Sequence, residues 1–155
     1  MELDKKIAIR WMIRADMKDV LKIEKKNNGE TGWDEDDFLY ALRNKNCVGL
    51  VALVGKKVVG FCVYFLEKGY FEIANFAVAQ KYVLYGIGEA FINRLKMKLA
   101  PQRRNVLTVN VRETNLYTQL FLRDLDFKAV EVVKNYYNTE DAYRFVYKES
   151  NVKVN

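Results

Sequence analysis

The apolar positions change period several times along the chain, and each change marks an element. Ile7–Ile13 reads as a first strand. Met17, Val20 and Leu21 then recur at helical spacing, which predicts a helix capped by Asp16 and running to about Lys26. Asp34 is placed to cap a second helix, with Trp33 and Phe38 flanking the cap as a hydrophobic staple. Cys47–Val54 and Lys57–Phe65 are apolar runs around Gly55-Lys56, the pattern of a hairpin. Tyr70–Val78 is a further strand. Ile87, Phe91, Leu95 and Leu99 form one stripe of a helix from Gly86 to about Ala100, which ends before Pro101. Val106–Val111 is a strand, Leu116–Asp124 a helix, and Phe127–Val133 and Ala142–Tyr147 close as strands. The order β-α-α-β-β-β-α-β-α-β-β predicts an α/β (α+β) fold with a mixed sheet and helices on its faces. The expected organisation is one domain over residues 1–149 and a polar tail, 150–155.

One junction in this pattern carries candidate chemistry. The strand ending Phe76-Ala77-Val78 runs through a short polar link into Tyr85-Gly86-Ile87-Gly88-Glu89, which opens a helix. Unpaired N–H groups of a glycine loop and first helical turn can hold one phosphate, and the helix dipole favours negative charge there. Gly86 and Gly88 would allow a ligand close to the backbone. A lone Gly-x-Gly is more often a plain turn.

Composition narrows the chemistry. The 155 residues are half hydrophobic, enough for a real core, and carry a net charge of +6. Residues 51–100 hold seven basic and three acidic side chains, an excess that suits an anionic ligand. It is too diffuse for a nucleic-acid reader, so no nucleic-acid partner is expected. Nor is a membrane, since no run approaches the length of a span, and Met1–Lys6 lacks a secretory apolar region. Cys47 and Cys62 lie in apolar runs without metal spacing, which reads as reduced thiols, a cytoplasmic location and no metal. There is no histidine, and the one serine is Ser150. Catalysis must therefore use carboxylates, tyrosines, amides or backbone dipoles.

With these elements in this order, the chain resembles the GNAT acetyltransferase family, and within it the bacterial ribosomal-protein-alanine N-acetyltransferases. The resemblance covers about residues 8–148. It rests on Ile9-Arg-Trp-Met-Ile-Arg-Ala-Asp-Met17, Asn75-Phe-Ala-Val78, Gly86-Ile-Gly88, Val111-Arg-Glu-Thr-Asn115, Leu125-Asp-Phe127 and Asn135-Tyr-Tyr137. It implies a sheet splayed between its fourth and fifth strands, Tyr70–Val78 and Val106–Val111, with acetyl-CoA as cosubstrate at the splay. The backbone of Phe76, Ala77 and Val78 would then face the pantetheine arm. The amides of Leu84, Tyr85, Gly86, Ile87, Gly88 and Glu89 would hold the pyrophosphate. Asn115 matches a residue near the cofactor arm and reads equally well as an N-cap. Tyr136 and Tyr137 match the paired tyrosines that line the family's peptide groove, although aromatics packed on an edge strand would look the same.

The departures from the family pattern are specific. Val83 and Tyr85 stand where the family's loop usually has Arg or Gln and then Arg or Lys, and Glu89 adds a negative charge. Asn110 replaces the subfamily's general-base glutamate, and Leu122 the tyrosine that protonates the leaving thiolate. Asp126 replaces a glycine, and Thr118 a small alanine. Glu72 matches the general-base position of the histone-lysine branch and is the candidate catalytic residue, against the plainer reading of a solvated strand glutamate. The implied activity is acetyl-CoA-dependent N-acetyltransfer to a primary amine of a peptide or protein N-terminus, a small amine being the lesser candidate. The alternative is a catalytically impaired GNAT-fold protein, natural or engineered, acting as a CoA-binding or interaction module.

Overall fold

A computed structural model describes residues 6–149. The expected tail, 150–155, lies outside the described residues. The elements are β1 (Ile7–Trp11), α1 (Met17–Asn28), α2 (Glu35–Leu42), β2 (Cys47–Val54), β3 (Lys57–Leu66), β4 (Tyr70–Val78), α3 (Ile87–Met97), β5 (Val106–Arg112), α4 (Leu116–Asp124), β6 (Lys128–Val133) and β7 (Ala142–Lys148). Their order is the one the apolar pattern predicts. The strands form a mixed seven-stranded sheet in the order β1-β2-β3-β4-β5-β7-β6, flanked by helices. β4 and β5 pair in parallel from Tyr70↔Val106 to Ile73↔Val109. That ladder ends there, although β4 runs on to Val78 and β5 to Arg112.

By contact the chain divides into two compact units, residues to Phe65 with Asn75–Arg94, and Leu66–Ala74 with the residues from Leu95 on. In the first, α1 and α2 bury Met17, Val20, Ile23, Phe38 and Ala41 against Val51, Val58, Phe61, Val63 and Ala77. The Asp34 cap forms as expected: its Oδ1 accepts from the Asp37 N–H at 2.9 Å, and Asp37 Oδ2 accepts from the Asp34 N–H at 3.0 Å. The Trp33 and Phe38 rings of the staple meet edge to face with centroids 5.0 Å apart. Helix α3 approaches β3 at Gly60, where an added Cβ would lie 3.1 Å from Ile87 Cγ2 and 3.2 Å from the Ala77 carbonyl oxygen.

Asp16 departs from expectation. It precedes α1, but its side chain makes no cap. Its carboxylate is buried and takes both Nη atoms of Arg10, at 2.8 and 2.9 Å, and the Ile13 N–H at 2.8 Å. A bidentate guanidinium is the stronger partner, and it draws the carboxylate off the helix end. The strand accordingly stops at Trp11, short of Ile13.

In the second unit β5 alternates strictly. Leu107, Val109 and Val111 are buried with Phe71, Ile73 and Phe145. Cross-strand partners share a face, so Glu72↔Thr108↔Val146 and Asn110↔Arg144↔Glu131 line the other one. Asp126 sits at φ 72, between α4 and β6. The Phe127 N–H reaches back to the Leu122 carbonyl at 3.0 Å, the bond of a Schellman stop. A left-handed residue is required there, which is the physical sense of a glycine at that place in the family, and aspartate is among the few other residues that accept it.

Candidate functional site

The link after β4 is more ordered than a plain connection. Gln80–Tyr85 forms a 3-10 helix, with the Tyr82 N–H on the Ala79 carbonyl at 2.8 Å. Gly86 ends it in the left-handed region, φ 79, so α3 begins at Ile87 and not at Gly86. A Cβ on Gly86 would meet nothing, so its backbone angle and not close packing calls for glycine. The first intrahelical bond runs from the Ala90 N–H to the Gly86 carbonyl at 2.9 Å. The N–H groups of Ile87, Gly88 and Glu89 therefore have no acceptor within the helix. Leu84 is 89% exposed, and Gly86 and Glu89 are exposed too. Such a turn offers its amides to an anion, while Glu89 opposes one by charge.

One neighbour of this turn escaped the sequence reading. Lys57, on the hairpin, places its Nζ 5.6 Å from the centroid of the Tyr82 ring, which itself meets Tyr85 edge to face at 5.0 Å. The only sequence signal was a lysine just after the Gly55-Lys56 turn, and nothing in the spacing tied it to a loop twenty-five residues on.

Glu72, Asn110, Asn115, Tyr136 and Tyr137 belong to the second unit. Glu72 is partly buried, and no hydrogen bond reaches its carboxylate among the described residues. Burial, with Glu67 adding to it, raises its pKa above the ordinary carboxylate range; Arg144 pulls the other way. Asn110 has both oxygens engaged. Its side-chain oxygen accepts from Arg144 Nε at 3.4 Å and its carbonyl from the Tyr137 hydroxyl at 3.2 Å. Arg144 also pairs with Glu131 at 3.0 Å. The Tyr137 ring lies 4.0 Å from the Arg112 guanidinium and 4.8 Å from the Tyr136 ring. Burial pushes the Tyr137 phenol up to about 12, so it is a neutral donor at physiological pH.

The loop thus brings Tyr137 to Asn110, and Tyr136 remains half exposed beside it. Asn115 caps α4, accepting from the Thr118 N–H at 3.1 Å, which realises the plainer of its two readings. Leu122 is fully buried in the core. Cys47 and Cys62 are free thiols held up at about 11 and about 12 by burial. Among the described residues no three His, Cys, Asp or Glu side chains group as metal ligands, and no helix is long and apolar enough to cross a membrane.

Comparison with known proteins agrees with this fold. Ard1 from Thermoplasma volcanium superposes with a TM-score of 0.83 at 22% identity, over 94% of this chain and 99% of that one. The ribosomal-protein-S18-alanine N-acetyltransferase of Escherichia coli gives 0.81 at 21%, over 97% and 98%. Arabidopsis thaliana NAA60 in complex with acetyl-CoA gives 0.77 at 15%, over 92% and 99%. At such identities the likeness is one of fold. No curated protein matches in sequence. The model of the acetyltransferase (GNAT) family matches residues 14–127, and the chain belongs to that family.

Proposed function

We propose that this chain is an acetyl-CoA-dependent N-acetyltransferase that acetylates a primary amine, foremost the N-terminus of a peptide or protein. Support comes from the family membership and from folds shared with an alanine N-acetyltransferase and with an acetyl-CoA complex. One observation carries the chemistry: Glu72, partly buried and without a hydrogen-bond donor among the described residues, has its pKa raised. A carboxylate so placed is a better base than a solvated one, because its affinity for a proton is closer to that of the water or amine it must deprotonate. The amine nitrogen attacks the thioester carbonyl as Glu72 takes its proton, directly or through a water. Collapse of the tetrahedral intermediate then breaks the C–S bond and releases the CoA thiolate, which takes its proton from solvent or from the carboxyl that Glu72 has become. The residues proposed toward the cosubstrate are the backbone of Phe76, Ala77 and Val78 and the amides from Leu84 to Glu89. Tyr136 and Tyr137 are proposed toward the acceptor peptide.

The second reading, a CoA-binding protein of weak turnover, is favoured by two facts. Leu122 is enclosed in the core, so no acid replaces the missing tyrosine there, and Asn110 is tied to Arg144. Acetyl transfer from acetyl-CoA to a peptide beginning with alanine, followed by thiol release, separates the two. Release at a rate that Glu72→Gln cuts about a hundredfold supports catalysis on the scale of a general base. Binding of acetyl-CoA without peptide-dependent release supports the second reading. Asn110→Glu, in the Glu72→Gln background, should restore part of the activity by returning a carboxylate to the other strand.

A further inference from the structure

Glu24 is 1% exposed, yet no cation pairs with it among the described residues. A buried carboxylate is costly unless its oxygens are saturated by donors. Here they are. Oε1 accepts from Asn28 Nδ2 at 3.0 Å, and Oε2 accepts from the Trp33 N–H at 2.8 Å and from Asn75 Nδ2 at 3.0 Å. One turn along α1, Asn27 donates to the Val78 carbonyl at 3.3 Å and to the Ile23 carbonyl at 2.9 Å. Two residues of α1 therefore grip the two ends of Asn75–Val78, which is the part of β4 beyond the end of the β4–β5 ladder. A strand that leaves its ladder loses bonds on that edge and needs another restraint to keep one conformation. The same carboxylate fixes the loop before α2 through Trp33. Gly32 permits this approach, since a Cβ there would lie 3.0 Å from Glu24 Oε2.

We infer that Glu24, with Asn27 and Asn75, is a positioning device that holds the Asn75–Val78 backbone in the geometry that receives acetyl-CoA, and ties the Gly29–Asp34 loop to it. The inference rests on the proposed cosubstrate role of Phe76, Ala77 and Val78. Without the clamp this segment samples other conformations, and cofactor affinity falls with the occupied fraction.

The test uses the full chain and the variants Asn75→Ala, Asn27→Ala and Asn75→Asp. The last keeps the side chain's size and sets a carboxylate, with no N–H to give, against Glu24 Oε2. Two quantities are read: hydrogen exchange of the Phe76, Ala77 and Val78 amides in the ligand-free protein, and acetyl-CoA affinity by calorimetry. In Asn75→Ala and Asn27→Ala, exchange should speed up about fivefold, the ordinary worth of one hydrogen bond, and affinity should weaken by a similar factor. Asn75→Asp should change both at least as much as Asn75→Ala, because it sets one acceptor against another. Unchanged exchange in folded single variants overturns the clamp. Faster exchange with unchanged affinity overturns its role toward the cofactor. If the parent binds no acetyl-CoA, the proposed function fails, and exchange alone still decides whether the clamp exists.

Discussion

Two carboxylates of this chain sit in opposite environments. Glu24 is enclosed and fully satisfied by three N–H donors from Asn28, Trp33 and Asn75. Glu72 is partly buried on the polar face of its sheet and has no hydrogen-bond donor among the described residues. The difference is the one expected between a structural acid and a reactive one. A carboxylate whose oxygens are bonded by fixed donors is tied to the fold, whereas one that burial disfavours and no donor bonds is left to take up a proton. Asp16 is of the first kind as well, with a guanidinium in place of neutral amides.

The sharpest way to break this comparison is Glu72→Gln. Turnover should fall by about a hundredfold or more, with acetyl-CoA affinity nearly intact. Because the Glu72 pKa is raised, the base form appears only as pH climbs through that raised value. The acid limb of the rate profile should therefore lie above the ordinary carboxylate range, and it should vanish in Glu72→Gln. Full activity in that variant would return Glu72 to the class of a passive strand residue.

Glu24→Ala tests the other side. It orphans three donors and opens space, so it should cost about 3 kcal/mol or more by urea titration. Glu72→Ala, read the same way, should cost under about 1 kcal/mol. Equal losses would mean that the two carboxylates are not distinct in kind.

A smaller effect is expected at the turn before α3, where amides stand without a loop arginine. Val83→Arg should tighten acetyl-CoA binding about tenfold at low salt, the scale of one charge-assisted hydrogen bond, and by less at high salt. Calorimetry at two ionic strengths reads it, and an unchanged affinity places the diphosphate elsewhere. Tyr85 is the poorer position for that change, because its ring is packed on Tyr82.

The smallest effect belongs to Asp16. Arg10 holds its carboxyl below the usual range, so its contribution is present above the unfolded pKa and is lost as pH falls through the lowered one. Asp16→Asn should reduce stability at neutral pH and flatten the acid limb of a stability-against-pH curve.

The family departures divide once the side chains have places. Asp126 is explained locally, by a left-handed backbone that glycine or aspartate can adopt. Leu122 is explained by the core, where it is fully enclosed, so a tyrosine there would overpack by about 1–3 kcal/mol and rebuilding the family's acid at that residue is not a neutral change. Asn110 keeps a structural task, joining Arg144 and Tyr137.

Periodicity by itself determined the element order, the strand Tyr70–Val78, the helix Leu116–Asp124 and the stripe Ile87, Phe91 and Leu95, because these depend on which side of a local element meets the core, whereas α3 stops at Met97, short of Leu99 and of the expected end near Ala100. The Asp34 cap was legible for the same reason, since donor and acceptor lie three residues apart. Only tertiary structure decided what surrounds Asp16, Glu24 and Glu72. A carboxylate's surroundings depend on which donors reach it: Asn75 comes to Glu24 from fifty-one residues away, and among the described residues no hydrogen-bond donor comes to Glu72.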